Sequence, residues 1–422
     1  MNGGLSMVEM KSGYKMTEVG VIPEDWEVKE LSSISAIKSG KRLPKGSLVA
    51  SSKTSYPYIR VIDMNMGYLN LSNIMYVPEN VQPMISKYII SKNDIYISVA
   101  GTLGLVGKIP EELDGANLTE NANRITEIQC NRDYLMYYMM SPLIQNVIEA
   151  ERTIGAQPKL ALQRIRDFYI VLPRDNREQT AIAAALSDVD SLISALTKKI
   201  EKKKAIKQGL MQQLLTGKKR LSGFNDKWKS MLLGDIAEVK DGTHQTPQYV
   251  KSGGKPFYSV ENVTADDFKN VKHISLEEHK ALTSNYRIEK GDVLMTRIGS
   301  IGCCKYVDWD VDASFYVSLA LLKINEKYDS KFISYLSNIK SFKEEVMLNS
   351  LVFAIPQKIN LGNISLIKVY IPTSKAEQTA IANILSDCDS EIAALEEKRD
   401  KYKEIKQGMM QQLLTGKIRL IK

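Results

Sequence analysis

The sequence predicts an α+β protein with two similar globular domains of mixed short strands and helices, separated by two long helices that form an antiparallel coiled coil. Three observations lead to this prediction. A segment occurs twice, at 178–221 and 377–420, and 31 of its 44 aligned positions are identical. Each copy repeats apolar residues at alternating spacings of three and four, which indicates one face of a helix. The stretches before the two copies also resemble each other, so the chain is predicted to be a pseudo-twofold repeat.

The repeated segments carry the seam of a coiled coil, the stripe of side chains that two paired helices bury against each other. The seam residues are Ile182, Leu186, Val189, Ile193, Leu196 and Ile200 in the first copy, and Ile381, Leu385, Cys388, Ile392, Leu395 and Tyr402 in the second. Each helix would span roughly 57 Å at ~1.5 Å per residue. A stripe of that length must be covered, and the other copy is the simplest partner. Gly217 and Gly416 indicate where the helices stop.

The globular stretches are predicted to mix strands and helices. Runs such as "DIYISVAG" and "DVLMTRIG" indicate strands that turn at glycine, and 131–151 indicates one helix. Trp26 aligns with Trp228, and "IVLP" aligns with "VYIP" shortly before each long helix. The predicted boundaries are a disordered leader at 1–16, a first globular domain at 17–177, a first long spacer helix at 178–221, a second globular domain at 222–376 and a second long spacer helix at 377–422.

Composition restricts the class of protein. No run of eighteen apolar residues occurs and the first residues are too polar for a signal peptide, so neither a membrane association nor export is expected. Four cysteines without a CxxC pair and three histidines without ligand spacing predict no metal site and a reducing cytoplasm. The net charge of +8 is consistent with a polyanionic partner. Most of that charge lies in 178–221, so a nucleic-acid surface on the globular domains must be local.

Motifs for catalysis are missing from the sequence. "TLGLVGKI" lacks the first glycine and the final Ser/Thr of a phosphate-binding loop. An adenine methyltransferase would need an Asn/Asp-Pro-Pro-aromatic tetrapeptide and a glycine-rich cofactor loop, and the sequence contains neither. We therefore expect no catalytic residue and no cofactor.

Four segments without acidic residues are predicted to hold DNA. They form two matching pairs, 31–62 with 242–260 and 152–166 with 346–372. Loops rich in Lys, Ser, Thr and Gln suit phosphate contacts and hydrogen bonds to base edges. The candidate DNA-binding residues are Lys38, Lys41, Arg42, Lys45, Lys53, Arg60, Arg152, Gln157, Lys159, Thr243, His244, Gln245, Lys251, Lys255, Arg297, Gln357 and Lys358. Arg60, Gln157, Gln245, Arg297 and Gln357 are the candidates for reading bases.

Four blocks of the sequence, "GVIPEDWEVKEL", "GFNDKWKSMLLGDIAE" and the two that run from "EQTAIA" to "MQQLLTGK", carry a resemblance to a known family. The chain resembles, over about 17–420, the specificity subunit of a Type I restriction–modification system. The resemblance implies that the two globular domains are target-recognition domains, each of which reads half of a bipartite double-stranded DNA site, and that the long helices dock two adenine-methyltransferase subunits. A restriction/translocase subunit would join through those subunits, and the chain itself would catalyse nothing. The first domain departs from the family at "KSGKRLPKGS", where the family often has a Gly-Thr-Pro turn.

Two alternative hypotheses come from other classes of protein. A self-contained DNA methyltransferase is disfavoured because its motifs are missing. A coiled-coil adaptor that binds only proteins is disfavoured by the four acid-free segments. Because the two globular domains differ in sequence, the DNA site is expected to be asymmetric, with its two halves about one helical turn apart.

Overall fold

The computed structural model describes residues 12–50, 52–151, 159–351 and 353–421. The chain divides into two compact units, which we call the first unit (1–196 with 398–422) and the second unit (197–397). Both units combine short strands with helices, which confirms the predicted α+β class. The division falls inside both long helices, so each unit contains one globular domain and a part of each helix.

The globular domain of the first unit contains twelve strands and five short helices in the described residues. The strands are β1 (Tyr14–Thr17), β2 (Gly20–Pro23), β3 (Trp26–Glu30), β4 (Ala36–Ser39), β5 (Pro57–Ile59), β6 (Met75–Tyr76), β7 (Ile89–Ile90), β8 (Ile95–Ser98), β9 (Val106–Lys108), β10 (Ala116–Leu118), β11 (Ala122–Thr126) and β12 (Tyr169–Pro173). The helices are α1 (Leu31–Ile34), α2 (Gln82–Ile85), α3 (Arg132–Met140), α4 (Pro142–Ala150) and α5 (Leu162–Arg166), followed by the first long helix, α6 (Asn176–Leu214). Two 3₁₀ turns lie at Val61–Asp63 and Glu111–Leu113.

Two four-stranded sheets form the centre of this domain. One has the order β4-β11-β8-β9 and is antiparallel, whereas in the other, β6-β5-β10-β7, strands β5 and β10 run parallel. Strand β8, with the sequence IYIS, is buried at every position, as expected for a strand covered on both faces. Strands β3 and β12 pair separately and bring Trp26 opposite Pro173, just before the first long helix.

The second unit repeats this plan. Its strands are β13 (Trp228–Leu232), β14 (Ala237–Asp241), β15 (Tyr249–Val250), β16 (Lys255–Tyr258), β17 (Lys272–Ile274), β18 (Val293–Thr296), β19 (Cys304–Tyr306), β20 (Ser314–Phe315), β21 (Leu319–Ile324) and β22 (Lys368–Pro372). Its helices are α7 (Leu233–Ile236), α8 (Val260–Ala265), α9 (Leu276–Leu282), α10 (Ser330–Leu336), α11 (Lys340–Leu348) and α12 (Leu361–Ser365), followed by the second long helix, α13 (Lys375–Leu413). The sheets have the orders β14-β21-β18-β19 and β15-β17-β16-β20, and β13 pairs with β22.

Two local features differ from the sequence-based expectation. Residues 14–16, which were assigned to a disordered leader, form strand β1 and pair with β2; the Tyr14 hydroxyl donates to Gly416 O at 2.8 Å. Residues 1–11 lie outside the described part of the chain. The single helix predicted at 131–151 is two helices, α3 and α4, because Pro142 has no N–H for a continuous helix and instead starts a new one.

In the first unit, the start of the first long helix runs antiparallel to the end of the second. Lys406 Nζ lies 2.7 Å from Asp190 Oδ1, and the Tyr137 hydroxyl donates to Asp190 Oδ2 at 2.8 Å. Burial, reinforced by the Asp190 charge, raises the pKa of Tyr137. Ile182 lies in the same apolar core as Leu414. This end of the helix pair is therefore continuous with the core of the globular domain.

In the second unit the same arrangement recurs with the helices exchanged. Lys207 pairs with Asp389, and the Tyr335 hydroxyl donates to Asp389 Oδ2 at 2.7 Å. Ile381 lies in the same apolar core as Leu214. Further ion pairs between the helices join Lys203 to Glu391 (2.7 Å) and Lys204 to Glu396 (2.6 Å). The predicted antiparallel pairing of the two copies is thus present in each unit.

The twelve seam residues are buried or half-buried. Seven of them are buried: Ile182, Leu186, Leu196, Ile200, Ile381, Leu385 and Ile392. The other five are half-buried: Val189, Ile193, Cys388, Leu395 and Tyr402. Asn176–Leu214 also contains an 18-residue window with a mean hydropathy of 1.3, of which 22% is buried, although no membrane helix was expected from the sequence. That is weak evidence for a membrane span, because a packed core helix meets the same criteria.

A glutamine near the start of each long helix ties the helix to the strand before it. Gln179 Nε2 donates to Pro173 O at 2.7 Å, and Gln179 Oε1 accepts from Asn131 N at 2.8 Å. Gln378 Nε2 makes the corresponding bond to Pro372 O at 2.8 Å. The "EQT" identity between the two copies therefore has a structural cause within the chain.

A buried carboxylate beside that glutamine joins the two copies in the first unit. Glu178 is 1% exposed; its Oε1 accepts from Arg419 Nε at 2.5 Å, and its Oε2 accepts from Trp26 Nε1 at 3.1 Å. Arg419 also donates to both oxygens of Asp25, at 2.9 and 2.7 Å. These two carboxylates raise the pKa of Arg419, and Arg419 lowers the pKa of Asp25.

The second unit contains the matching cluster. Glu377 is fully buried and accepts from Arg220 Nε at 2.6 Å and from Trp228 Nε1 at 3.4 Å. Gly217 lies three residues before Arg220 and has φ +69°, in the left-handed region that favours glycine. A Cβ at this position would also lie 3.3 Å from the Trp228 ring. Thus "LLTGK" and the following arginine recur because each copy closes the core that contains the start of the other.

Removing either arginine should destabilise its own unit. Arg419→Gln leaves the Glu178 carboxylate buried without its cation, and Arg220→Gln does the same to Glu377; we expect a loss of about 3 kcal/mol in the affected unit. Arg174→Gln is the control. Arg174 is 67% exposed and its ion pair with Glu27 is long, at 3.8 Å, so its loss should lower the free energy of unfolding by less than about 0.5 kcal/mol. Hydrogen exchange resolved by peptide would measure each unit separately. Equal protection in Arg419→Gln and in the control would contradict the assignment.

Candidate nucleic-acid interface

The first acid-free segment, 31–62, forms an exposed basic edge on the first unit. Lys41, Arg42, Lys45 and Lys53 are exposed. Arg42 Nε donates to Glu120 Oε1 at 2.6 Å, and this hydrogen bond raises the pKa of Arg42. Lys41 Nζ lies 5.6 Å from the centre of the Tyr88 ring. Three cations of this segment thus stand close together in the chain on an open surface.

Two other cations of this segment form ion pairs with acidic residues that lie outside 31–62. Lys38, on β4, pairs with Glu127. The Arg60 guanidinium donates two hydrogen bonds to the Asp63 carboxylate, at 3.0 and 2.8 Å, and one to Asn73 O at 2.9 Å. The bond to Asp63, whose side chain is 5% exposed, raises the pKa of Arg60. The structure therefore gives Arg60 a role in shaping the loop, which competes with its proposed role as a reader of bases.

The corresponding segment of the second unit, 242–260, is organised by Asp241. His244 Nε2 lies 2.8 Å from Asp241 Oδ2, and Arg297 Nη1 lies 2.5 Å from Asp241 Oδ1. His244 is largely exposed, whereas Arg297 is 8% exposed and also donates to Ile359 O. Arg297 is therefore buried behind the surface, where it holds two loops together, and its guanidinium does not face solvent.

The remaining candidates of this segment differ in how free they are. Thr243, half-buried, pairs through its backbone with Tyr316, and Gln245 and Lys251 are exposed. Lys255 Nζ lies 2.5 Å from Asp312 Oδ2, and that hydrogen bond lowers the pKa of Asp312. Gln245 and Lys251 are consequently the more accessible polar side chains here.

The segments just before the long helices are attached at corresponding positions. Lys159 forms a backbone bridge with Ala100, and Lys358 forms one with Ile298. Both lysine side chains are exposed. The half-buried Gln357 side chain lies 3.4 Å from the sulfur of Met347. Two candidates, Arg152 and Gln157, lie outside the described residues.

In the first unit the two acid-free segments meet at one connection, residues 118–122. Lys41 N donates to Leu118 O at 2.8 Å, and Val99 N donates to Asn121 O at 2.8 Å. The neighbouring Ala100 then carries the bridge to Lys159. Segments that are 90 residues apart in sequence thus lie at one edge of the domain.

The second unit brings its acid-free segments together at residues 315–318 in the same manner. Thr243 N donates to Phe315 O at 3.2 Å, and Arg297 N donates to Ser318 O at 2.9 Å. Ile359 N in turn donates to Arg297 O at 2.9 Å. A cavity of about 430 Å³ opens here, and Tyr316, Ser318, Asn262, Lys272 and the acid Glu261 are among the residues that line it. Its aromatic, amide and hydroxyl groups are suited to contact bases, whereas Glu261 would repel a phosphate.

Sequence reasoning missed the acids that organise these loops, Asp63, Glu120 and Asp241. Asp63 lies three residues after Arg60, a spacing that could have indicated the pair. Glu120 and Asp241 lie 78 and 56 residues from the arginines they bind, so no local pattern could have revealed them. No group of three or more potential metal ligands occurs among the described residues.

Comparisons with known proteins agree on one family. The model of the Type I restriction modification DNA specificity domain matches twice, at residues 23–208 and 225–407. The putative type I restriction enzyme MjaX specificity subunit of Methanocaldococcus jannaschii is 29% identical over 97% of both chains. The MjaVIII specificity subunit of the same organism is 24% identical over 94% of both chains.

Solved structures share the fold. The S subunit of a Type I restriction–modification system from M. genitalium superposes with a TM-score of 0.58, at 18% identity, over 92% of this chain and 96% of its own. A chain from a study of complex assembly and conformational transition of the type I R-M system has a TM-score of 0.57, at 15% identity, over 94% and 99%. At such identities the similarity concerns the fold alone.

Neutralising the basic edge of the first unit should weaken DNA binding at many sequences. In the triple variant Lys41→Gln, Arg42→Gln, Lys45→Gln, the slope of log affinity against log salt should fall in magnitude by up to about 2.7, because each lost phosphate contact removes ~0.9. Lys198→Gln, Lys199→Gln, Lys202→Gln is the matched control, since it removes the same charge from exposed positions of the first long helix. Mobility shifts at several salt concentrations measure both. Equal slopes in the two triple variants would exclude this edge from the DNA footprint.

Proposed function

The chain belongs to the Type I restriction–modification DNA specificity family, and from this premise we propose that it directs an adenine-methyltransferase complex to an asymmetric, bipartite DNA site. It is a specificity subunit, a non-catalytic component that acts in complexes with DNA and methyltransferase subunits. In this proposal each unit binds one half of the site. The bound methyltransferase subunits carry out the reaction, and this chain holds the DNA.

The observation that carries the proposal is the convergence of two acid-free segments in both units. Residues 31–62 and 159–166 meet at 118–122, and residues 242–260 and 353–372 meet at 315–318. A protein with 49 acidic residues keeps them out of these segments twice. Exposed lysines with hydroxyl and amide side chains supply phosphate contacts and hydrogen bonds to bases. A protein-only adaptor would have no need of such surfaces.

Differences between the two edges support an asymmetric site. The first edge presents Lys41, Arg42 and Lys45, whereas the corresponding second edge presents Gln245 and Lys251 around the Asp241 cluster. Two surfaces that differ in charge and in hydrogen-bonding groups favour different base sequences. The two halves of the site should therefore not be related by a palindrome.

The long helices supply a surface for two copies of one protein partner. Core packing explains why the two copies share buried residues such as Leu214 and Leu413. It does not explain Ile206 and Ile405, which are 44% and 40% exposed yet identical. Exposed glutamines flank both positions and are also identical: Gln208, Gln212 and Gln213, with Gln407, Gln411 and Gln412. An exposed surface repeated in this way fits two identical methyltransferase subunits, through which a restriction/translocase subunit would join in the cytoplasm.

Sequencing the methylated DNA of cells that express this chain with its methyltransferase tests the proposal directly. We expect methylated adenines in one motif with two different specific halves separated by a non-specific spacer. Exchanging residues 222–376 for those of another family member should change one half of the motif and leave the other half intact. A motif without a spacer, or methylation by the purified chain alone, would contradict the proposal.

Charging the repeated helix surface should release the methyltransferase and spare DNA binding. Ile206→Lys and Ile405→Lys should each weaken capture of the methyltransferase at least tenfold, as for a central apolar contact, and together should abolish methylation. Ile418→Lys is the matched control, because Ile418 is 51% exposed and Lys219 already occupies the aligned position in the first copy. Co-purification and mobility shifts separate the two activities. Full capture by the double variant would show that the partner docks elsewhere.

A further inference from the structure

Two bulky apolar side chains stand out in solvent on the loop before the second long helix. Phe353 is 98% exposed and Ile355 is 99% exposed, the highest values for large apolar residues in the described part of the chain. Only Ala354 separates them. Isolated apolar residues are common on protein surfaces, but two at nearly full exposure and only two positions apart indicate a surface that a partner covers.

The loop that carries them is fixed at its base. Leu351 N donates to Lys358 O at 2.8 Å, and Gly299 N donates to Gln357 O at 2.8 Å. Ile359 N donates to Arg297 O at 2.9 Å, and Arg297 is itself buried against Asp241. Phe353 and Ile355 therefore project from a loop whose base is held by backbone hydrogen bonds, next to the edge at 315–318. A side chain that inserts into a partner needs such a support, because less conformational freedom is then lost on binding.

The charge around the loop selects the class of partner. No acidic residue occurs from Val346 to Pro372, and Lys358 is exposed at the base of the loop. An anionic partner with an apolar interior matches this combination. Duplex DNA has that character, since its phosphates lie outside and its stacked bases inside.

We propose that Phe353 and Ile355 form an apolar wedge that inserts between adjacent base pairs of bound DNA. The inference rests on the proposed function and adds a mode of recognition to it. Apolar wedges of Phe and Ile are a general device for unstacking a base step and kinking the duplex. Unstacking costs least at flexible pyrimidine–purine steps, so the wedge selects sequence without a hydrogen bond to a base.

The wedge belongs to one unit only. Ile154 and Ala156 occupy the aligned positions in the first copy, so the sequence there provides no aromatic side chain and less apolar volume. The DNA should therefore be kinked at the half-site of the second unit and not at the other. The difference in sequence also provides a control within the same chain, because the one bulky apolar residue at these positions of the first copy, Ile154, can be replaced by Ala.

The test uses the full-length chain and a duplex that it selects from a random pool. The double variant Phe353→Ala, Ile355→Ala is compared with Ile154→Ala, and 2-aminopurine is placed at successive steps of the selected duplex to report unstacking. The wild type and Ile154→Ala should each increase the fluorescence of 2-aminopurine at one base step of the duplex. The double variant should lose this signal and bind roughly tenfold more weakly, with an unchanged salt slope, because stacking and not charge is lost. Both side chains are exposed, so folding should not be affected.

Each alternative outcome is distinct. If the chain selects no duplex, the proposed function fails and the wedge with it. If it selects one but the double variant binds that duplex as tightly as the wild type, the wedge alone is overturned. If DNA binding is unchanged and only capture of the methyltransferase falls, the two side chains belong to a protein interface and the wedge is also overturned.

Discussion

A buried glutamate next to an arginine from the other copy is the interaction on which the architecture depends. Glu178 and Glu377 would be costly to bury as free charges, and each is neutralised by an arginine just beyond the end of the opposite long helix. A tryptophan donates to the same carboxylate in both units. The start of one copy, the end of the other and the first core strand of a domain therefore meet at one charged group. This requirement accounts for the Trp, Glu and Arg that recur at matching positions of the two copies.

The exposed edges can differ between the two units because the buried Glu–Arg clusters that close each core do not involve them. The acid-free segments lie on loops anchored by backbone hydrogen bonds at 118–122 and 315–318, so side chains along the edges change without disturbing the core. Some cations are nevertheless taken up by structure, as with Arg60 on Asp63 and Arg297 on Asp241. The candidate cations that are free of such ion pairs are therefore fewer than the sequence suggests. A shared closure with different edges lets the two units of one chain keep the same core and present different surfaces.

The two long helices were predictable from the sequence, whereas the surfaces formed by the acid-free segments were predictable only in part. The heptad spacing from Ile182 to Ile200 reports a local periodicity, and its burial follows directly from helix geometry. Strands such as Ile95–Ser98 were recognisable from their β-branched run. The pairing of Arg42 with Glu120 was not, because it depends on how distant segments pack, and the break at Pro142 was overlooked within an otherwise helical pattern. Reading bases depends on such tertiary details, so the candidates for reading bases stay a prediction that the sequence alone could not refine.

The exchange of helix ends also has a consequence for synthesis on the ribosome. The second unit is a contiguous stretch, 197–397, whereas the first unit needs residues 398–422 to complete its core. Domains nearest the N-terminus usually fold first as they emerge. Here the order is reversed: the core around Ile182 and Leu186 cannot be completed until residues 398–422 have been synthesised. A nascent chain that lacks those residues therefore exposes the apolar face of the first long helix, a surface of the kind that chaperones and quality-control proteases bind.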